Sequence, residues 1–443
     1  MNRRVFSLLA GILFAAAAHG TSPADRMDEV AQYYVNQQQF MGAVLVARGD
    51  QVLFSKAYGF ANLEWNIPNT TTTKFRIGSV TKQFTAAAIL LLAERGKLKL
   101  DDPIKNFCPD APAAWDAVTL THLLGHTSGI PSYTNTPDFE KLSASHATPQ
   151  ELVARVRDRA LEFAPGSRFS YSNTGYVLLG MAIEKASGAK YADFLKRNIF
   201  DPLGLADTGY DDNEAILPKR ASGYSPAPQG KVNAMHVDMS TPFAAGALYS
   251  TVDDLRRWQR ALFDHQLLSK SSVEKMTSAG KGNYGFGLFI GDKAISHGGG
   301  IPGFNSRVAY YPATDVVVIT LSNLNGPGAE AIGEKLGALA GGETVVLPPE
   351  RRSISLKPEL LQRYAGKYQL QADVELTFTV EDSQLFCATS GGGKFPLAAM
   401  TETEFFPIPF EAEFVFQKNK AGKITGVRLR QGGQDTLAPR KES

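Results

Sequence analysis

The chain has very few cysteines and almost no net charge. Two of its 443 residues are cysteine, Cys108 and Cys387, and neither has a partner at CxxC or CxxH spacing. A zinc site is therefore not indicated, and two buried free thiols are expected in place of a disulfide. Lysine and arginine number 46 against 44 aspartates and glutamates, which gives a formal net charge of +2. This nearly equal number of positive and negative side chains argues against a nucleic-acid partner.

The N-terminal apolar run is too short to span a bilayer. It covers 14 residues, from Val5 to Ala18, whereas a membrane-spanning helix needs roughly 20. Arg3 and Arg4 precede the run, and Ala18 and Gly20 supply small residues at the two positions that a signal peptidase inspects. This order predicts a signal peptide over residues 1–20 and an exported protein, periplasmic or secreted, with no membrane anchor after cleavage. The arginine pair leaves open whether export uses the general or the twin-arginine route.

Strand-like runs lie at both ends of the first three quarters of the chain. Runs at 43–47 and 51–54, joined by a short glycine-containing turn, predict a hairpin. Further runs follow at 284–290, 307–311 and 316–321, after a middle section of helical segments and loops. Helices are expected at 25–36 and 329–339. This pattern predicts an α+β fold, in which one antiparallel sheet flanked by helices carries an inserted helical lobe.

The last quarter of the chain has a different pattern. Two glycines at 341–342 are followed by a segment over 343–357 that contains a proline pair and several charges, which is typical of a linker. Short strand-like runs at 374–380, 384–388 and 413–417 then alternate with turn signals, which predicts a small all-β barrel. The predicted organisation is a signal peptide over 1–20, a main domain over 25–342, a linker over 343–357 and a β domain over 358–443.

A Ser-x-x-Lys spacing places a serine and a lysine one turn apart on one face of a helix. The lysine can take the serine's proton if burial lowers its pKa. The spacing occurs four times and is weak evidence by itself. Only one occurrence opens a long apolar helix, over 84–93, that would bury the lysine. The four serines are Ser79, Ser187, Ser272 and Ser278, and Ser79, with Lys82, is the one that fits.

Two further clusters carry groups suited to acyl chemistry. In Tyr171-Ser172-Asn173 the phenol, with an ordinary pKa near 10, acts as a base only beside a cation. Asn173 offers an amide that can bind a substrate carbonyl and orient Lys82. In the segment 297–300, His-Gly-Gly-Gly, the glycines allow a substrate backbone to approach a strand edge closely. Each cluster alone is also compatible with an ordinary turn.

Taken together, and in this order, the three clusters resemble the signature set of serine β-lactamases and penicillin-binding proteins. Longer segments, at 75–82, 123–129, 165–173 and 246–255, resemble the class C branch of that superfamily, which includes D-amino-acid peptidases and esterases. The resemblance covers about residues 28–340. The segment 364–368, Tyr-Ala-Gly-Lys-Tyr, resembles the start of a lipocalin-like β domain appended to some of these hydrolases. A lid or spacer is the expected role for that domain.

The resemblance implies an acyl-enzyme mechanism without a metal or an organic cofactor. The expected partner is a small-molecule or peptide substrate, with peptidoglycan fragments among the candidates; the oligomeric state is left open. The implied roles are nucleophile for Ser79, shared acid–base catalysis for Lys82 and Tyr171, substrate binding for Asn173, His297, Gly298 and Gly299, and an oxyanion hole from the backbone N–H groups of Ser79 and Gly300.

His297 stands where β-lactamases of this branch carry lysine. Histidine is mostly neutral at pH 7, so it should bind a substrate carboxylate less well. Peptidases and esterases of the branch carry histidine here, and they fit better. We therefore expect a D-amino-acid peptidase or esterase with weak β-lactamase activity. A β-lactamase proper, a non-turnover receptor for β-lactams or peptidoglycan, and a scaffold acting through its β domain are the alternatives.

Two other catalytic arrangements are not favoured by the sequence. An α/β-hydrolase esterase would need a Gly-x-Ser-x-Gly elbow, which is missing. His126 is available as a triad histidine, but Lys82 and Tyr171 already fill the base role, and a structural role is expected for it.

Overall fold

The computed structural model describes residues 22–227, 230–390, 393–408, 411–431 and 434–441. The predicted signal peptide lies outside these residues. Within the described ranges no helix is both long and apolar enough to cross a membrane. Cys108 and Cys387 are both buried and free, as expected.

Helices and strands are distributed unevenly along the chain. The helices are α1 (Pro23–Asn36), α2 (Thr81–Glu94), α3 (Leu120–Leu124), α4 (Phe139–Leu142), α5 (Pro149–Arg157), α6 (Asn173–Ser187), α7 (Tyr191–Leu195), α8 (Phe243–Gly246), α9 (Val252–Phe263), α10 (Lys270–Met276), α11 (Gly328–Ala340) and α12 (Pro358–Gln362). The strands are β1 (Gly42–Arg48), β2 (Gln51–Tyr58), β3 (Phe60–Asn62), β4 (Ile67–Pro68), β5 (Phe75–Arg76), β6 (Gly209–Tyr210), β7 (Tyr224–Ala227), β8 (Gly230–Asn233), β9 (Leu248–Ser250), β10 (Phe289–Ile290), β11 (Ile295–Ile301), β12 (Phe304–Tyr311), β13 (Val316–Ser322), β14 (Gly366–Gln371), β15 (Val374–Glu381), β16 (Gln384–Thr389), β17 (Lys394–Ala399), β18 (Glu404–Pro407), β19 (Glu413–Lys418), β20 (Ile424–Gln431) and β21 (Gln434–Pro439).

The main sheet joins the two ends of the first domain. Its strand order is β10-β11-β12-β13-β1-β2, and β1 pairs antiparallel with β13, so that Gly42 lies opposite Ser322. Alternate residues of β1 face different cores. Val44 and Val46 pack with α1 and α11, whereas Leu45 packs on the side of α2 and α9. The predicted antiparallel sheet, flanked by helices and built from both ends, is thus confirmed.

Helix α2 runs through the centre of the larger core, beside α6 and α8 of the helical lobe. Every residue from Thr81 to Leu92 is buried, including Lys82. The continuous apolar run after residue 83 explains this position, because a helix that is apolar on all sides is stable only when protein surrounds it. The first turn of α2 therefore brings a lysine into an apolar environment.

The C-terminal region forms a separate sheet. Within the described residues, β14 to β21 make an eight-stranded antiparallel sheet in sequential order. The first and last strands meet through a bridge between Tyr368 and Arg440, so the barrel is nearly closed and leaves few free edges. Its core is rich in aromatic side chains, with Tyr364, Phe378 and Phe416 all buried. The all-β prediction for this region is confirmed.

The predicted strand over 284–290 is wrong for most of its length, since only Phe289–Ile290 is a strand. Two glycines hold the preceding loop against neighbouring helices. A Cβ on Gly285 would lie 2.2 Å from the carbonyl oxygen of Met276, and one on Gly287 would lie 2.6 Å from that of Lys82. The loop therefore packs against α10 and α2 instead of pairing in the sheet. Strand β11, in contrast, extends through the glycine triplet that follows His297.

Candidate active site

Ser79 lies in a single turn of 3₁₀ helix, Gly78–Val80, immediately before α2. Gly78 has a φ of +49°, and a Cβ on it would lie 2.9 Å from the backbone nitrogen of Gly300. Glycine at this position therefore allows the turn to pack directly against β11. The Oγ of Ser79 lies 3.0 Å from the Nζ of Lys82, one turn further along. The predicted Ser-x-x-Lys pair is in contact.

The amine of Lys82 is held by two groups that can only accept hydrogen bonds. It donates to the side-chain oxygen of Asn173 at 2.9 Å and to the carbonyl oxygen of Ala245 at 2.7 Å. The Asn173 amide is oriented by its Nδ2, which donates to Thr134 at 3.1 Å. A neutral amine has two N–H groups and one lone pair. With both N–H groups engaged, the lone pair is available to the hydroxyl of Ser79.

Burial also sets the protonation of Lys82. Its side chain is completely buried, and the resulting loss of hydration lowers the pKa of Lys82 well below its ordinary value. An amine with a depressed pKa that accepts a hydrogen bond from a hydroxyl has the properties of a general base. The geometry and the electrostatics of this residue thus favour the same role.

Tyr171 lies on the other side of the serine. Its hydroxyl is hydrogen-bonded to Ser79, and burial raises the pKa of Tyr171 above its ordinary value despite this bond. The Nζ of Lys82 lies 4.9 Å from the centre of the tyrosine ring. Since burial raises the pKa of the phenol and lowers that of the amine, the phenol keeps its proton. Tyr171 is therefore suited to donate or relay a proton.

His126 supports Tyr171 from behind. Its imidazole is buried, and its ring centre lies 4.1 Å from that of Tyr171. Its Nδ1 accepts a hydrogen bond from the backbone N–H of Ser172 at 3.1 Å, which fixes the turn between Tyr171 and Asn173. These contacts fit the structural role expected for His126.

His297 is only 2% exposed, and it lines the cavity that Ser79 and Tyr171 also border. Its Nδ1 lies 2.6 Å from the carbonyl oxygen of Gly298 and its Nε2 lies 3.0 Å from the hydroxyl of Tyr284. Because a carbonyl oxygen only accepts, the proton resides on Nδ1, and Nε2 accepts from Tyr284. Burial, with a smaller effect from Lys82, lowers the pKa of His297 to about 3. The imidazole is therefore neutral, and both nitrogens are engaged within the protein.

Strand β11 has one free edge at the site. In the fully described stretch 230–390, β10 pairs with Ile295 and Ser296 alone, which leaves 297–301 unpaired on that side. Gly298, Gly299 and Gly300 line a cavity of about 410 Å³ together with Ser79 and Tyr171. An extended substrate could add to this edge by backbone hydrogen bonds.

Gly299 is expected to tolerate no side chain. A Cβ on it would lie 2.0 Å from the carbonyl oxygen of Ile77 and 2.4 Å from the Oγ of Ser306, whereas a Cβ on Gly298 makes only ordinary contacts at 3.6 Å. Gly299→Ala should therefore lower the free energy of unfolding by about 1–3 kcal/mol. Gly298→Ala, the matched control, should stay within about 0.5 kcal/mol. Urea denaturation followed by circular dichroism measures both, and equal stability of the two variants would contradict the tight packing described.

Two cavities meet at Ser79. The one described above has a polar lining that also includes Asn305, Ser306 and Glu330. The other, of about 430 Å³, borders Ser79 and Asn173 on the opposite side. Its further lining is mainly apolar and includes Tyr133, Phe139, Met235, Val237, Ile301 and Pro302. The site therefore offers an apolar pocket on the Asn173 side and a polar one on the Tyr171 side.

Several contributing residues carry no signal in the sequence. Ala245 contributes only its carbonyl oxygen, which any residue could supply. Thr134, Tyr284 and Glu330 reach the site from loops or helices remote from the motifs. Within the described residues no group of histidine, cysteine, aspartate and glutamate side chains is arranged to hold a metal ion.

Comparison with known sequences identifies one family. The family model described as Beta-lactamase matches residues 27–342. Penicillin-binding protein 4* of Bacillus subtilis (strain 168) is 30% identical over 425 residues, which cover 87% of this chain and 92% of that protein.

Solved structures show the same fold. The octameric penicillin-binding protein homologue from Pyrococcus abyssi is 27% identical, with a TM-score of 0.65 over 93% of this chain and 99% of that one. The D-amino acid amidase from Ochrobactrum anthropi SV3, in complex with L-phenylalanine amide, is 26% identical, with a TM-score of 0.64 over 72% of this chain and 98% of that one.

Proposed function

This chain belongs to the β-lactamase family of serine hydrolases, and we propose that it hydrolyses amide, peptide or ester bonds of small D-amino-acid derivatives through an acyl-enzyme on Ser79. One observation carries the proposal. The Nζ of the buried Lys82 lies 3.0 Å from the Oγ of Ser79 and donates to Asn173 and Ala245, so in its neutral form the amine keeps its lone pair for the proton of Ser79.

In the proposed acylation step, the Oγ of Ser79 forms a bond to the substrate carbonyl carbon while its proton moves to the Nζ of Lys82. The backbone N–H groups of Ser79 and Gly300 stabilise the oxyanion, and one such donor is typically worth about 3–4 kcal/mol. When the bond to the leaving group breaks, Tyr171 donates the proton that the leaving group needs. Lys82 then passes its proton to Tyr171, which restores both groups. In deacylation Lys82 takes a proton from water as the water oxygen bonds to the acyl carbon. The bond from that carbon to the Oγ of Ser79 then breaks, Lys82 returns the proton to Oγ, and the acid product leaves.

The two cavities support an orientation for the substrate. Tyr171, the proposed proton donor to the leaving group, lines the polar cavity and not the apolar one. The leaving group is therefore assigned to the polar cavity, and the side chain of the acyl part to the apolar cavity that Tyr133 and Phe139 line. An apolar pocket of this kind suits a hydrophobic amino acid side chain. The amidase relative, whose solved complex contains a phenylalanine amide, supports this substrate class.

The neutral His297 supports weak rather than efficient β-lactam hydrolysis. β-Lactam substrates carry a carboxylate, and an imidazole with a pKa near 3 cannot form an ion pair with it. The hydrogen bonds to Tyr284 and Gly298 further reduce what the ring can offer a ligand.

The test compares substrates on the purified protein. D- and L-phenylalanine amide, p-nitrophenyl acetate and benzylpenicillin are assayed in parallel, and intact-protein and peptide mass spectrometry locate any adduct. We expect turnover of the ester and the D-amide, slower turnover of the L-amide, and a slowly released penicilloyl adduct on the peptide that contains Ser79. Rapid penicillin hydrolysis would instead identify a β-lactamase proper, and stable adducts without turnover of any substrate would identify a receptor.

A further inference from the structure

An acidic side chain lies at the end of the cleft assigned to the leaving group. Glu330, in the first turn of α11, lines the polar cavity together with Ser79, Tyr171 and Gly298. A Cβ built on Gly298 would lie 3.6 Å from the Oε2 of Glu330, so the carboxylate lies over β11 at Gly298. Its side chain remains 49% exposed. The cavity assigned to the leaving group therefore contains this carboxylate.

The positive partner of Glu330 lies behind it. Arg307 is on β12, opposite Gly298 in the register, and its guanidinium donates a hydrogen bond to the Oε1 of Glu330. The arginine side chain is only 11% exposed. It borders a different cavity, which Tyr311 and Glu334 also line. The carboxylate of Glu330 therefore lines the cleft, whereas the guanidinium of Arg307 lies outside it.

Cations are missing from the lining of the cleft. Among the described residues that border the two cavities at Ser79, the charged side chains are Glu140 and Glu330, and neither a lysine nor an arginine is present. His297 is neutral, and Lys82 is buried with its N–H groups engaged. A carboxylate on the leaving group would find no counter-charge, and it would be repelled by Glu330 at short range.

We propose that Glu330, held in place by Arg307, makes the enzyme reject leaving groups that carry a free carboxylate, so that its substrates are carboxamides, esters or internal peptide bonds. This inference rests on the proposed function and assigns its substrate class. It excludes a carboxypeptidase, which must release an amino acid with a free carboxylate. Specificity here comes from a repulsive element as much as from an attractive one.

The test uses two dipeptides that differ only at the C-terminus, D-phenylalanyl-D-alanine and its carboxamide, with release of D-phenylalanine measured for each. Wild-type enzyme should prefer the carboxamide by at least about tenfold in kcat/KM, and the preference should decrease as salt screens the repulsion. Glu330→Gln removes the negative charge and frees Arg307, so it should reduce the preference by about tenfold or invert it. The double variant Glu330→Gln/Arg307→Met lacks both charges and should lie between wild type and the single variant.

Each result decides the proposal. A wild-type preference for the free acid, or a carboxamide preference that neither variant nor salt changes, would overturn it. If Glu330→Gln fails to fold, the double variant and the salt dependence of wild type still give the answer. Ser79-dependent turnover of p-nitrophenyl acetate separates the two levels of inference. If the ester is turned over but the Glu330 variants leave the carboxamide preference unchanged, the substrate assignment alone is refuted. If the ester is not turned over, the proposed function is refuted.

Discussion

Replacing Ser79 with alanine is expected to lower kcat for p-nitrophenyl acetate by about 10⁴- to 10⁶-fold, as removal of a catalytic nucleophile does in other serine hydrolases. The variant should also form no covalent adduct with benzylpenicillin. The physical reason is that, among the residues that the structure describes, Ser79 is the serine whose hydroxyl contacts the amine of Lys82, at 3.0 Å. Substrate binding should persist, because the cavities do not depend on this hydroxyl.

The chain supplies a matched control for this variant. Ser278 has the same Ser-x-x-Lys spacing, but it is exposed, and its hydroxyl donates to the carbonyl oxygen of Glu274 at 2.6 Å. Ser278→Ala should therefore retain full activity. Stopped-flow kinetics and intact-protein mass spectrometry measure both variants. Turnover or an adduct that survives in Ser79→Ala would mean that a different nucleophile acts.

Lys82→Met should lower kcat/KM for the neutral ester more than Tyr171→Phe does. Burial lowers the pKa of the amine and raises that of the phenol, so Lys82 is the better proton acceptor in the resting enzyme. A general base typically contributes about 10²- to 10⁴-fold. We expect Lys82→Met to lose at least about 10³-fold in kcat/KM for the neutral ester. Tyr171→Phe should lose about 10- to 10²-fold, because an ester leaving group needs little protonation.

The pH profile tests the same assignment. The amine is an acceptor only when unprotonated, so kcat/KM should be constant above the depressed pKa of Lys82 and fall as the pH drops through it. Tyr171→Phe should keep this acidic limb, since the limb belongs to Lys82. A tyrosine variant as inactive as Lys82→Met, or one without the acidic limb, would identify Tyr171 as the base. Melting temperatures of both variants serve as the control for folding.

The features that could be predicted from sequence depend on local periodicity. The spacing of Ser79 and Lys82 on one helix face follows from 3.6 residues per turn, and the apolar run after them predicted the burial of the lysine. The run at 316–321 predicted β13, because a strand buried on both faces is continuously apolar. Those inferences needed no knowledge of distant segments.

The features that could not be predicted depend on contacts between distant segments. The carbonyl oxygen of Ala245 reaches Lys82 across 163 positions of sequence, and no side-chain pattern marks a backbone acceptor. The loop over 284–288 has a strand-like composition, yet Gly285 and Gly287 are needed for close contacts with helices. The hydrogen bond between His297 and Tyr284 depends on that same loop, and no local pattern in the sequence marks it. Orientation of a side chain is a tertiary property.

The pairing of β1 with β13 has a consequence for how the molecule reaches its native state. The first strand of the chain lies beside the last strand of its domain, and Ser322 bonds to the carbonyl oxygen of Met41, 281 positions away. The edge of β1 therefore stays without its neighbour until almost the whole domain has been synthesised. Closing so long a loop carries a large entropic cost, and chains rich in such remote pairings fold slowly. During that interval the β1–β2 hairpin has an unpaired edge, and unpaired edges of this kind promote aggregation of unfinished chains.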